Sequence, residues 1–343
     1  MPTFAHMLQN RQPSVWTQYL AEMVMVWVPV GIYHSLPYYQ WFLNPRLQAC
    51  IWVMASVYTV YAWFVARAKV ASGEVTKGIL MGRFLSHVAG VIIRRKSSPV
   101  VHEERTAFLA FLVKAYYIPV MLNFTYRNLA NLKYYVLHSS DDFSTYQGIS
   151  LFNHWMFPLL VSLCYVTLTL VYLFGYVVEM PALNNRVKSV DTTLLGWAVT
   201  LACYPPFSNE ISRHVPFEIN INASFGTETL TMIVRLVMLA LMGMMFWSVA
   251  VLGVRCSNLT NRGIITTGPY KIIRHPHYMA KNLMWWFTIL PAIPGRPIVI
   301  LYMALWTAIY LLRGITEEMH LKSDPAYQAY CQQVRWKFIP GIW

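Results

Sequence analysis

The sequence predicts an all-α fold: a polytopic transmembrane helical bundle of about eight spans, with interfacial helices and a C-terminal cofactor-binding region. Three observations predict it. Of 343 residues, 57% are hydrophobic and only 12% are charged, against about 25% charged in a water-soluble domain. Apolar runs recur along the chain at lengths near the ~20 residues that a spanning helix needs. The basic residues are distributed unevenly between alternate loops, as expected when one face meets the cytoplasm.

The elements follow in chain order. Gln9, Asn10, Arg11 and Gln12 precede the first apolar run without a compact cleavage pattern, so that run reads as a retained span. Spans are predicted near 19–43, 47–66, 106–125, 152–178, 191–207, 228–252, 277–294 and 297–314. The fifth is short because Tyr204-Pro205-Pro206-Phe207 ends it; proline lacks an amide donor and fixes φ. Between spans two and three, Ile79, Leu80, Phe84, Val88 and Ile92 fall at helical spacing with Lys77, Arg83 and His87 among them, which predicts an interfacial helix near 76–93. Ser323-Asp324-Pro325 opens a terminal amphipathic helix carrying Tyr327, Tyr330, Cys331, Val334 and Phe338.

Charge sets the expected orientation. With the N-terminus in the cytoplasm, 19 Lys and Arg fall inside and 5 outside, while Lys114, Arg235 and Lys281 fall in or at the edge of spans. Arg313 counts among the inner charges, as part of the tail. The net charge of +13 therefore points to anionic membrane lipid as a partner and not to nucleic acid, for which no soluble basic module is visible. Cys50, Cys164, Cys203, Cys256 and Cys331 are widely spaced and read as free or buried thiols. His275 and His277, with proline between them and no third ligand nearby, do not make a metal site. The chain divides into an N-terminal membrane region, 1–190, with an accessory, substrate or partner role, and a C-terminal core, 191–343.

The chemistry concentrates in that core. Gly268-Pro269-Tyr270 and Arg274-His275-Pro276-His277-Tyr278 precede two spans joined by the turn Pro294-Gly295-Arg296-Pro297, and Glu317-Glu318 follows them. Two antiparallel spans return the chain to the face it left, so Arg274 and Glu317 can meet at one end of a hairpin. Arg grips a carboxylate or phosphate through two parallel bonds. Glu accepts hydrogen bonds from ribose hydroxyls, and Tyr faces stack on a base or hold a cation. Gly268 permits close backbone approach, and Pro276 fits a first helical turn whose free amides favour an anion. Arg235, inside a span, is a functional candidate by its cost there.

Together, Gly268-x-Tyr270, Arg274-His275-Pro276-x-Tyr278, Glu317-Glu318 and Tyr327-x-x-Tyr330 leading to Pro340 resemble the integral membrane methyltransferases of the isoprenylcysteine carboxyl methyltransferase and phospholipid methyltransferase superfamily. The resemblance covers roughly residues 250–343. It implies a cytosol-facing S-adenosylmethionine site lined by Arg274, His275, Tyr278, Glu317 and Glu318, and a lipid-like or lipidated acceptor that enters from the bilayer. The chain departs from the family at Ala280, where glycine is common, and in its first four spans. A carboxylate acceptor is favoured because no general base is evident, with Arg274 or Arg235 to hold it in a catalytic role. Two other readings stand beside this one. Membrane sterol or enone reductases, which use NADPH, share a His-Pro-x-Tyr segment and a late acidic pair. A transporter or lipid-binding scaffold is the non-enzymatic alternative.

Overall fold

The computed structural model describes residues 12–94, 100–215 and 223–343. It is all-α apart from one two-residue strand pair, and six of its helices are long and apolar enough to cross a membrane. These make the chain an integral membrane protein. They are α1 (Val15–Ser35), α2 (Pro45–Ala71), α4 (His102–Leu137), α5 (Gly148–Val177), α7 (Glu228–Leu252, with the turn to Arg255) and α9 (Val299–Leu321). Their outward faces are apolar, as lipid requires: Val53, Val57 and Phe64 on α2, and Leu230, Ile233 and Leu236 on α7, are exposed.

Local chemistry sets the helix starts. Ser14, Asn44 and Thr227 accept hydrogen bonds from the amides of Thr17, Leu47 and Leu230, and Pro45 occupies a first-turn position. The interfacial α3 (Lys77–Arg94) lies where the periodicity predicts it. Arg11, Arg95 and Lys96 of the loop-charge count lie outside the described residues.

The chain forms two compact units, Met1–Pro119 and Val120–Trp343. Their boundary precedes the sequence division at residue 190 because α5 packs on α7, within the second unit. In the first unit α1 packs on α2 and α3. Two buried polar residues of α1 fix that packing: Gln18 Oε1 accepts the Thr76 amide at 2.7 Å, and Glu22 accepts the Gly78 amide at 2.8 Å and the Tyr58 hydroxyl at 2.6 Å. Gly78 is required there, since a Cβ would lie 2.5 Å from the Ala21 carbonyl carbon.

In the second unit α5, α7 and α8 (Pro276–Ile289) enclose a core that includes Phe157, Leu168, Met242, Met245, Ala280 and Met284. The eight-span expectation is corrected at two places. The span expected at 191–207 contains only α6 (Leu194–Leu201), and the span expected at 277–294 is the 14-residue α8. Both are shorter than the ~20 residues a straight crossing needs. Chain path nevertheless carries the α6 segment across the unit. Strand β1 (Ser189–Val190) pairs antiparallel with β2 (Thr260–Asn261), just past the end of α7. Ala223, whose carbonyl accepts from Arg235 at 3.2 Å, lies beside the start of α7. Between them the chain covers the length of α7, ~37 Å at 1.5 Å per residue, yet among the described residues of this stretch only α6 is helical for more than four residues. The Pro205-Pro206 pair explains the early stop.

The terminal helix is also shorter than its periodicity. α10 spans Pro325–Gln333, capped by Asp324, which accepts the Ala326 amide at 2.9 Å. Val334 and Phe338 lie beyond it, in a folded tail that packs back on α8 and α9.

Candidate functional site

The site forms where the α8–α9 hairpin meets α10 and the loop after α7. Consecutive helical residues point about 100° apart, so Glu317 and Glu318 serve different neighbours. Glu318 is buried. Its Oε1 lies 3.0 Å from Arg274 Nη1 and 3.3 Å from His275 Nε2, and its Oε2 lies 3.2 Å from Lys337 Nζ. Arg274 also donates to Cys331 Sγ at 3.2 Å and to the Arg335 carbonyl at 2.9 Å. The backbone amides of Arg274 and His275 donate to the carbonyls of Trp336 and Lys337. The His275 ring stacks between Tyr278 and Phe338. Burial opposes the Arg274 charge, but the Glu318 carboxylate and its other neighbours outweigh that and raise its pKa. This cluster ties the tail to both helices of the hairpin, while the buried Arg274 Nε, on the cavity wall, has no partner among the described residues.

Glu317 is exposed, on the wall of a cavity open to solvent. Tyr278 donates its hydroxyl to Glu317 Oε2 at 2.8 Å. Glu317 is the one carboxylate among the described residues lining this cavity. Tyr172, Tyr270 and Tyr278 supply aromatic wall, and Tyr327 and Tyr330 of α10 close one side. Tyr330 donates to the Tyr270 carbonyl at 2.7 Å, fixing the lid helix to the loop. Arg255 and Arg262 line another part of the wall. Cys256 lines it too, but burial pushes its thiol up to about 12, so it is no nucleophile at neutral pH. Burial also raises the Tyr270 phenol well above its ordinary value.

A second, smaller chamber shares Asn258, Tyr278 and Glu317 with the first. Arg313 lines it, 4% exposed. Its guanidinium donates to Asn258 Oδ1 and sits 5.0 Å from the Tyr278 ring and 5.6 Å from those of Tyr204 and Tyr310. Asn258 is itself pinned, donating to the hydroxyls of Tyr176 at 2.9 Å and Tyr204 at 3.1 Å. Tyrosine faces and an amide oxygen thus surround a buried cation, and the carboxylates of Asp191 and Glu317 line the same chamber.

The structure brings Tyr270, Arg274, His275, Tyr278 and Glu317 to one cavity, with Glu318 behind them. Of four expectations three change, and the placement of Pro276 at a helix start holds. Arg274 faces Glu318 rather than Glu317, and acts as a tether instead of gripping a ligand. Gly268 adopts φ +61°, but a Cβ there would meet Val251 at 2.8 Å and Trp247 at 3.2 Å, so its close approach is to α7 and not to a ligand. Pro276 opens α8 and is buried. Arg235 lies 17 residues before Leu252 on α7, about 25 Å along the axis. It donates to the Asn153 and Ala223 carbonyls and covers the Phe157 ring at 4.9 Å. Its catalytic assignment is withdrawn.

Sequence reasoning missed Arg313, Arg262, Asn258 and Tyr172. Arg313 and Arg262 were read as loop charges; both are buried. Asn258 and Tyr172 carry no local signal, because their role depends on long-range pairing across the unit.

A family model described as "Protein of unknown function (DUF1295)" matches residues 212–334, just over a third of the chain. That stretch contains α7, the loop after it, the hairpin and α10. No curated protein and no solved structure matches the chain.

Proposed function

We propose that the chain is an integral membrane methyltransferase that uses S-adenosylmethionine and acts on a lipid-like acceptor bearing a carboxylate, the cofactor cavity facing the cytoplasm. One observation carries this reading: a tyrosine-walled cavity holding a single carboxylate, Glu317, adjoins a chamber lined by the buried cation Arg313. The residues present suit the group. Glu317 would accept from ribose hydroxyls, and the faces of Tyr172, Tyr270 and Tyr278 would border an adenine or a cationic sulfur. S-adenosylmethionine, when bound, supplies an electrophilic methyl on positively charged sulfur.

The chain's own residues then have three tasks. Arg313, steadied by Asn258, holds the acceptor carboxylate. Tyr278 and Glu317, on the boundary between the two chambers, set the line between acceptor oxygen and methyl carbon. The lid helix α10 limits water. A carboxylate oxygen forms its bond to carbon as the carbon–sulfur bond breaks; no proton moves, so no base is needed. Lys271, Lys322 and Arg335, exposed near the site, fit a cytoplasmic face.

Titration of S-adenosylhomocysteine into the purified protein in detergent tests the reading. Saturable binding is expected, weakened about tenfold or more in Glu317→Ala, where a charged hydrogen-bond acceptor is lost. Absence of binding overturns it.

A second reading, an NADPH-dependent sterol or enone reductase, is favoured by one feature. The Tyr278 hydroxyl, beside the Arg313 cation, is a plausible proton donor to a reduced substrate. NADPH in the same titration discriminates the two, by fluorescence change on binding.

A further inference from the structure

The loop after α7 and the strand pair bring three cations together, two of them, Arg255 and Arg262, on the wall of the large cavity. Pairing of β1 with β2 sets Ser189 opposite Asn261, and the Asn261 carbonyl accepts the amide of the preceding Lys188 at 2.8 Å. Gly263 marks the point of convergence. A Cβ built there would lie 3.5 Å from Arg255 Nη1 and 3.9 Å from Lys188 Nζ. Arg262 is adjacent and 3% exposed. Its Nη1 donates to the Asn185 carbonyl at 3.2 Å, but its buried Nε has no partner. Arg255 uses Nε on the Asn184 carbonyl at 3.1 Å. Two carboxylates face these three cations: Glu179, the charge nearest in effect to Arg262, accepts the Val187 amide at 3.0 Å, and Asp324, within the field of Lys188, accepts from Asn261 at 2.8 Å, which leaves the cluster one positive charge in excess. Arg255, Arg262 and Gly263 line the cavity, as does Glu317.

A buried guanidinium nitrogen without a partner is costly. Two further cationic heads beside it make the edge a receptor for one anionic group. We infer that Lys188, Arg255 and Arg262 form the subsite for the amino-acid carboxylate of the sulfonium cofactor. This assignment rests on the methyl-transfer reading. It gives the ligand a direction within the cavity: carboxylate on the cationic edge, ribose at Glu317, and the sulfur between them, against the tyrosines.

The test compares S-adenosylhomocysteine with its decarboxylated analogue, by isothermal titration to the full-length protein in detergent. The wild type is expected to bind the carboxylate-bearing ligand about tenfold or more tightly than the analogue, the scale of one charge-assisted bond. Lys188→Gln and Arg255→Gln each shrink that ratio towards one by weakening only the carboxylate-bearing ligand. Lys188 makes no side-chain hydrogen bond that the fold needs, so that variant reads the subsite even where Arg255→Gln disturbs the loop. Equal binding of both ligands by the wild type overturns the subsite while leaving the methyl-transfer reading intact. Equal weakening of both ligands in the variants also overturns it, since the residues would then only shape the cavity. Binding of neither ligand overturns the methyl-transfer reading, and the subsite with it.

Discussion

At the scale of residues, the two adjacent glutamates do different work, and stability should separate them. Glu318→Gln leaves Arg274, His275 and Lys337 around an uncharged amide in a buried setting. Loss of one partner from such a cluster costs about 3 kcal/mol or more, so thermal unfolding should shift down clearly. Glu317→Gln, with Tyr278 as its one bonded neighbour, should unfold near the wild-type temperature while losing affinity for S-adenosylhomocysteine. Arg313→Lys keeps the charge but loses the planar fork that a carboxylate fits. It should retain cofactor binding within about twofold and lose acceptor turnover by about a hundredfold, the scale of ~3 kcal/mol for a charged hydrogen-bonded contact. Cys256, with its thiol pushed up to about 12, stays protonated across the neutral range. Maleimide at pH 8 should leave it unlabelled until detergent denaturation exposes it, as mass spectrometry of peptides would show. Arg274 and the acidic pair were legible in the sequence because a hairpin must return its ends to one face. Arg313 was not: a basic residue near the end of an apolar run reads the same whether it flanks the membrane or fills a chamber.

At the scale of elements, two glycines position the cavity wall. Gly175 of α5 touches the loop after α7, where a Cβ would stand 2.3 Å from the Cys256 carbonyl oxygen. Gly175→Ala must displace that backbone, and with it Asn258 and Arg262. Gly243, on α7, has nothing within 4 Å of an added Cβ. Gly243→Ala should be neutral or stabilise by up to ~1 kcal/mol through helix propensity. Thermal unfolding and ligand affinity of the two variants should therefore diverge in sign. Hydropathy located both ends of α7, since nothing interrupts its apolar run between Thr227 and Gly253. It failed for α6, where a run apolar enough for a span is broken by Pro205-Pro206, and for α10, where Val334 keeps the helical spacing although the helix ends at Gln333. Periodicity reports which face is apolar; it does not report where backbone hydrogen bonding stops.

At the scale of the whole molecule, the six long helices and the two shortened passages, α6 and α8, make an even number of traverses. The loop charges give the same parity. Epitope tags at the two chain ends should therefore be accessible from one and the same side of sealed vesicles, and a tag in the loop after α4 from the other. Accessibility of the two ends from opposite sides would remove one traverse. The α6 passage bears on this most directly. Irregular backbone at membrane depth is tolerated only where protein covers it or water reaches it, so Tyr204, bonded to Asn258 and covered by Arg313, belongs to the chamber wall rather than to a lipid-facing surface.

The tether around Glu318 also imposes an order in time. Arg274 and His275 leave the ribosome well before Glu318, and Lys337 and the Trp343 oxygen, which accepts the amides of Lys337, Phe338 and Ile339, leave later still. Until Glu318 emerges the guanidinium has no counter-charge, and until Tyr327 and Tyr330 follow the cavity lacks one wall. The nascent chain can insert every long helix and still own no finished pocket. A stop codon after Lys322 would thus yield a membrane-inserted protein whose cavity lacks the wall that Tyr327 and Tyr330 supply.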